Sequence, residues 1–170
     1  MNLQSNDFEL FGVPERFAQD RAALDARWKE LQKEAHPDKF AAQGVAAQRV
    51  AMQWSVRINE AYQRLKDPLR RAAYLCELHG APIQAHDNTA MPPAFLMQQM
   101  EWREALADAR AEHNEQALQQ LANEISQEQQ DLLHQLQQAF GDQQYETAAQ
   151  LVRQGRFLAK LQQEIQAALP

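Results

Sequence analysis

The sequence predicts an all-α protein in two parts. Residues 1–78 form an antiparallel helical hairpin with short flanking helices, residues 79–93 a linker, and residues 94–170 a three-helix bundle. Three observations predict this. Apolar side chains recur every three or four residues on both sides of Ala35-His36-Pro37-Asp38-Lys39-Phe40, as in two helices joined by a loop. From Gly80 to Pro93 the period is broken by Pro82, His86, Asp87, Asn88, Thr89, Pro92 and Pro93, the composition of a boundary. Beyond it, three long segments carry apolar stripes that need one another to be buried.

The elements follow in order. Phe8 and Phe11 share one face of a short first helix, closed by Gly12 and Pro14. Asp20 is placed to cap a second helix that ends at Ala35 or His36, because Pro37 fixes its own φ and turns His36 away from helical backbone. With Trp28 as the centre of the buried face, Leu24, Leu31 and Ala35 fall on the same side, while Lys29 and Lys33 lie well off it and Arg27 on the opposite flank. The third helix is expected to start among the alanines after Phe40, with Gly44 near its first turn, and to end at about Leu65. Val50, Trp54, Ile58, Ala61 and Leu65 form its stripe. Asp67-Pro68 opens a short fourth helix, with an acceptor for free N–H groups and a ring preorganised for the first turn. Leu69, Ala72, Ala73 and Leu75 are placed to pack that helix onto the hairpin.

In the second part the helices are expected at Ala94–His113, Glu115–Phe140 and Tyr145–Leu169, with a turn at Gly141-Asp142. The 19 glutamines after residue 75 are interspersed with apolar positions, so they read as polar helix faces. Around Leu106, the residues Phe95, Gln99, Trp102, Ala109 and His113 make a core-facing stripe. Met97, Met100, Glu101, Glu104 and Asp108 lie on the other side, with Leu96 at the boundary. Two methionines and three acids facing outward are not required for folding and suit a binding surface. A broad amphipathic helix whose methionines touch a neighbouring helix or the first part of the chain would show the same pattern.

Composition excludes several function classes. No apolar run approaches the roughly 18–20 residues of a membrane span, and the mean hydropathy is −0.65. No membrane partner is expected. Residues 1–75 carry 12 Lys and Arg against 10 Asp and Glu, whereas residues 76–170 carry 5 against 13, a net −8. That acidic half argues against nucleic acid, whose phosphates need clustered Lys and Arg. The single cysteine, Cys76, forms neither an internal disulfide nor a zinc site alone, and the N-terminus lacks the features of a secretory or transit peptide. A reducing, cytoplasmic location is the expectation.

The ordered set Asp7-Phe8-Glu9-Leu10-Phe11-Gly12-Val13-Pro14, His36-Pro37-Asp38, Asn59-Glu60-Ala61-Tyr62-Gln63-Arg64-Leu65 and Asp67-Pro68 resembles the J-domain. That module stimulates ATP hydrolysis by seventy-kilodalton heat-shock chaperones. The segments Ala94–Glu104 and Val152–Leu161 resemble the first and last helices of the C-terminal domain of the HscB family, J-proteins of iron–sulfur cluster assembly. The resemblance implies a chaperone-binding face of His36, Pro37 and Asp38 with Arg27, Lys29, Lys33 and Lys39, directed at an HscA-type chaperone. It implies a scaffold-binding patch of Leu96, Met97, Met100, Glu101, Glu104, Asp108 and Phe157 for an IscU-type cluster scaffold. Phe157 lies about 100° from Leu158, at the edge of its helix's core face.

Some positions depart from the family pattern. Ala35 stands where a larger side chain often precedes His-Pro-Asp, which predicts looser packing beneath the loop. Asp108 is one methylene shorter than the usual glutamate. Gly155 inside a helix costs about 1 kcal/mol against alanine and suits a close helix contact. The Cys-rich N-terminal extension of eukaryotic relatives is absent, so a bacterial-type member is expected.

Two rival readings are of other kinds. An enzyme would need a nucleophile, a phosphate loop or a metal set beside His36 and Asp38, and His79, His86, His113 and His134 show no ligand spacing with Cys76. No catalysis, resident cofactor or metal is therefore expected. A general J-protein holding unfolded clients through its bundle is the alternative function.

Overall fold

The computed structural model describes residues 2–83 and 91–170. The expected linker residues His86, Asp87, Asn88 and Thr89 lie outside them. Among the described residues there are seven α-helices, one 3₁₀ segment and no strand. The chain divides into two compact units, Met1–Leu75 and Cys76–Pro170. The division falls inside a helix, three residues before the expected end of the first part.

In the first unit, α1 (Asp7–Phe11) is capped by the Asn6 side chain, which accepts from the Glu9 N–H, and ended by Gly12 at φ 64°. Phe8, Leu10 and Phe11 are buried, and so is Asp7. The Asp7 carboxylate is held by Arg57 at 2.8 Å and Arg64 at 2.6 Å. Its backbone N–H donates to the Tyr74 hydroxyl. One buried acid thus ties α1 to α3 (Val45–Lys66) and α4 (Pro68–Leu78).

The hairpin of α2 (Arg21–Ala35) and α3 buries Leu24 and Leu31 against a stripe that includes Ile58, Ala61 and Leu65. Asp20 caps α2 by accepting from the Ala22 N–H. Trp28 is half-buried rather than central. Its ring stacks on Tyr62 at 4.8 Å and its indole N–H donates to Asn59 Oδ1. Gln32 bridges the same carbonyl and accepts from the Ser55 hydroxyl, and the Tyr62 hydroxyl donates to Asp25 at 2.6 Å. That bond, then Arg21, holds the Asp25 carboxyl below the usual carboxylate range.

The third helix starts later than the alanines predict. Pro37–Gln43 forms a 3₁₀ segment, Gly44 takes φ 101°, and α3 begins at Val45. Val50 is also not in the stripe: it is 50% exposed, and Ala51 takes the inward place. Steps of four residues drift about 40° each, so Val50 has rotated about 80° from Ile58, whereas Ala51, seven residues back, returns to within about 20°. Leu31, Ala35, Phe40, Ala47, Val50 and Trp54 line an apolar cavity of about 500 Å³ beneath the loop. The small Ala35 leaves that space open on the α2 side.

The fourth helix begins as expected, with the Asp67 carboxylate accepting from the Leu69 N–H. The second unit opens with the end of that helix. Gly80, at φ 78°, closes it, with Ala81 N–H donating to the Cys76 carbonyl. The His79 ring stacks on Tyr145 at 4.0 Å. Burial pushes the Cys76 thiol up to about 12.

The helices α5 (Pro93–Ala111), α6 (Glu115–Gly141) and α7 (Tyr145–Ala168) pack pairwise as a three-helix bundle. Ile125, Leu136, Leu158, Leu161 and Ile165 form its centre. The α5 helix ends two residues before His113, which is exposed and takes φ 50°; it does not continue the core stripe. Likewise the turn after α6 bends at Gln143, φ 56°, while Gly141 remains helical. Gly155 is buried within α7.

Candidate functional site

The loop after α2 is built by proline and a side-chain cap. His36 takes extended backbone, ψ 129°, and Pro37 occupies the first position of the 3₁₀ segment. The His36 Nδ1 atom accepts from the Asp38 N–H at 3.2 Å, and the Lys39 N–H donates to the His36 carbonyl. An accepting Nδ1 places the ring proton of the neutral imidazole on Nε2, where it can be donated outward. The His36 and Asp38 side chains are 57% and 91% exposed, with Asp38 Oδ2 3.6 Å from Nδ1. The loop therefore presents a donor and a carboxylate in a backbone-fixed arrangement that packing does not need.

The basic residues divide. Lys29, Lys33 and Lys39 are exposed. Lys33 lies in the last turn of α2, where a cation is favoured by the helix dipole. Arg27 is half-buried and paired with Glu30 at 3.2 Å, so its charge is partly spent.

A second face lies on α5. Leu96, Met97 and Met100 are 41%, 65% and 72% exposed, and Glu101, Glu104 and Asp108 are exposed beside them. Trp102, Leu106 and Ala109 fill the bundle side. Both methionines are exposed to solvent rather than packed into the bundle.

Phe157 is placed differently from the other six. It is half-buried and packs edge-on to Phe95 at 5.8 Å, stacks with Trp102 at 6.4 Å, and lies under the Arg103 guanidinium at 5.3 Å. It belongs to the aromatic seam joining α5 to α7. Arg103 also pairs with Glu164, and the Trp102 indole donates to Glu124. Sequence reasoning missed this brace, although two aromatics seven residues apart on α5 were its visible half. It also missed an exposed apolar strip on the outer side of α3, formed by Val45, Met52 and Val56 near Leu3. Among the described residues no cluster of three His, Cys, Asp or Glu side chains is placed to hold a metal.

Comparison with known proteins gives consistent matches. Residues 91–166 match the family model described as the HSCB C-terminal oligomerisation domain. A co-chaperone protein HscB homolog from Burkholderia multivorans is 47% identical over 169 residues, covering 99% of this chain and 97% of that one. The chain belongs to the HscB co-chaperone family. Chaperone HscB from Vibrio cholerae superposes with a TM-score of 0.85 at 39% identity, covering 96% of both chains. The human co-chaperone protein HscB superposes at 0.91 with 27% identity, over 98% of this chain and 83% of that one. The first unit, with its His-Pro-Asp loop, is the J-domain of this HscB-family chain, and the matched C-terminal model spans the helix that bears the α5 face.

Proposed function

We propose that the chain delivers a client to a chaperone through these two faces. The His36-Pro37-Asp38 loop, with Lys29, Lys33, Lys39 and the remaining charge of Arg27, docks on an HscA-type seventy-kilodalton chaperone and stimulates its ATPase. Leu96, Met97 and Met100, rimmed by Glu101, Glu104 and Asp108 and backed by Phe157, hold an IscU-type iron–sulfur scaffold. Together the two contacts promote cluster transfer and maturation of iron–sulfur proteins in the cytoplasm. The protein acts by binding and does no covalent chemistry of its own.

The observation that carries this reading is the exposure of the α5 methionines beside three acids, on a unit separate from the polar loop. An apolar surface of that kind is stabilised by being covered, and the acids favour a partner with a basic rim. A general holder of unfolded clients would need a groove open to many sequences, whereas this face is one side of a single helix. A pull-down from lysate tests the choice: one dominant scaffold protein, lost with Leu96→Ala/Met97→Ala/Met100→Ala, is expected. A broad set of unfolded proteins retained by that variant would replace this reading with the general one.

A further inference from the structure

We infer that Met97 and Met100 are sites of reversible oxidation, and that their sulfoxides switch off the α5 face. The inference rests on that face being the scaffold-binding surface. Met100 and Met97 are among the most exposed large apolar side chains in the described chain, at 72% and 65%. They lie three residues apart, so their thioethers share one helix face and are reached together by a small oxidant. The chain's one thiol does not compete. Cys76 is buried, and its thiol is held protonated up to about 12, while oxidants attack the thiolate.

The chemistry is a two-electron oxygen transfer from a peroxide. The sulfur lone pair attacks one peroxide oxygen, the O–O bond breaks and an S–O bond forms. The departing oxygen takes up the proton and leaves as water. Sulfur is oxidised, the peroxide is reduced, and a flexible apolar side chain becomes a polar, chiral one. Covered by an apolar partner surface, each sulfoxide oxygen is left without a hydrogen-bond donor, which weakens a complex by about tenfold. Free in water it costs the bundle nothing, because neither methionine is core. The modification therefore removes binding and leaves the fold intact, and methionine sulfoxide reductases restore the surface.

Two other methionines among the described residues make internal comparisons possible. Met52 is 59% exposed on α3, in the other unit, and Met91 is half-buried just before α5. The full chain is treated with graded hydrogen peroxide and quenched with catalase. Sulfoxide at each methionine is read by peptide mass spectrometry, and affinity for an IscU-type scaffold by calorimetry. Met97 and Met100 should oxidise ahead of Met91. When both are oxidised, affinity should fall at least about tenfold, with the helical circular dichroism and chaperone stimulation without scaffold unchanged. Reductases should return affinity to the untreated value.

Met52→Leu should lose affinity on treatment as the wild type does. Met97→Leu/Met100→Leu, compared with its own untreated form, should change less than about twofold. If that variant binds too weakly to compare, the reductase arm on the wild type decides. Protein oxidised at both positions that binds within about twofold of untreated protein overturns the proposal. So does a loss that follows Met52 or a fall in helical signal. Untreated wild type that fails to bind the scaffold at all would instead remove the reading on which the proposal rests.

Discussion

The loop after α2 and the outer side of α5 are both exposed and both unnecessary for folding, yet they are built on opposite physical plans. The loop is polar and fixed: Pro37, the His36 cap and the 3₁₀ segment hold two side chains in a set relation. The α5 face is apolar and adaptable, with methionines on one side of a helix and acids around them. A fixed polar loop contributes little covered area and acts through hydrogen bonds whose geometry must be right. An apolar face acts through area and tolerates conservative change. The units that carry them differ in the same sense. Polar ties through Asp7, Asp25, Gln32 and Asn59 fasten the J-domain, whereas aliphatic stripes and an aromatic seam close most of the bundle.

The difference can be broken from either side. The largest effect is expected at the loop. His36→Gln or Asp38→Asn should bring ATPase stimulation close to the unstimulated rate while the chain stays folded, because neither side chain is packed. Wild-type stimulation by either variant in a steady-state ATPase assay would end the functional reading of the loop.

On α5, fully covering an apolar side chain contributes up to roughly 1.5–3 kcal/mol, and a micromolar complex needs only about 8 kcal/mol. Leu96→Ala/Met97→Ala/Met100→Ala should therefore weaken scaffold binding at least about a hundredfold in calorimetry. Stability should hardly change. Phe157→Ala should differ by also lowering the melting temperature, since its ring sits in the α5–α7 seam.

Asp7→Asn should destabilise the J-domain by about 3 kcal/mol, because it leaves two arginines facing a neutral amide. Urea denaturation monitored on the J-domain would measure this, and an unchanged midpoint would contradict the tie. Reversing Lys29 and Lys33 to glutamate should weaken chaperone stimulation by about two- to tenfold at low salt, less as salt rises.

The smallest effect concerns Asp25. Its carboxyl titrates below the usual range in the folded protein, so the tie to Tyr62 is complete above about pH 4 and is lost as pH falls through the depressed value. Tyr62→Phe should lose most of that component, which thermal melts between about pH 2 and pH 5 would reveal.

Much of the fold is written in short-range signals. Asp20 and Asp67 set helix starts through bonds to residues two away, and Pro37 acts through its own fixed φ, so reading them needs no tertiary information. The burial of Asp7 was hidden because its partners stand 50 and 57 residues along the chain. Arg57 and Arg64, seven apart and so on one face of α3, were the available hint. Val50 was misplaced by following steps of four instead of the full 3.6-residue period. The two breaks between the bundle helices were legible, but the left-handed positions at His113 and Gln143 were not, since neither is a glycine. At the site, Met97 and Met100 were legible because a helix with a sufficient core stripe had apolar residues left over. The edge position of Phe157 was legible too, but its ring partners were not, since Phe95 and Trp102 come from another helix.

Under the proposed function, one chain carries both faces at once, so that a bound scaffold is delivered to the chaperone. Scaffold-dependent ATPase stimulation by an equimolar mixture of His36→Gln and Leu96→Ala/Met97→Ala/Met100→Ala tests it most directly. Each variant supplies the face the other lacks. The mixture should give no more stimulation than the α5 variant alone, at every scaffold concentration. Recovery to the wild-type curve would show that the two faces work on separate molecules, and would contradict the account.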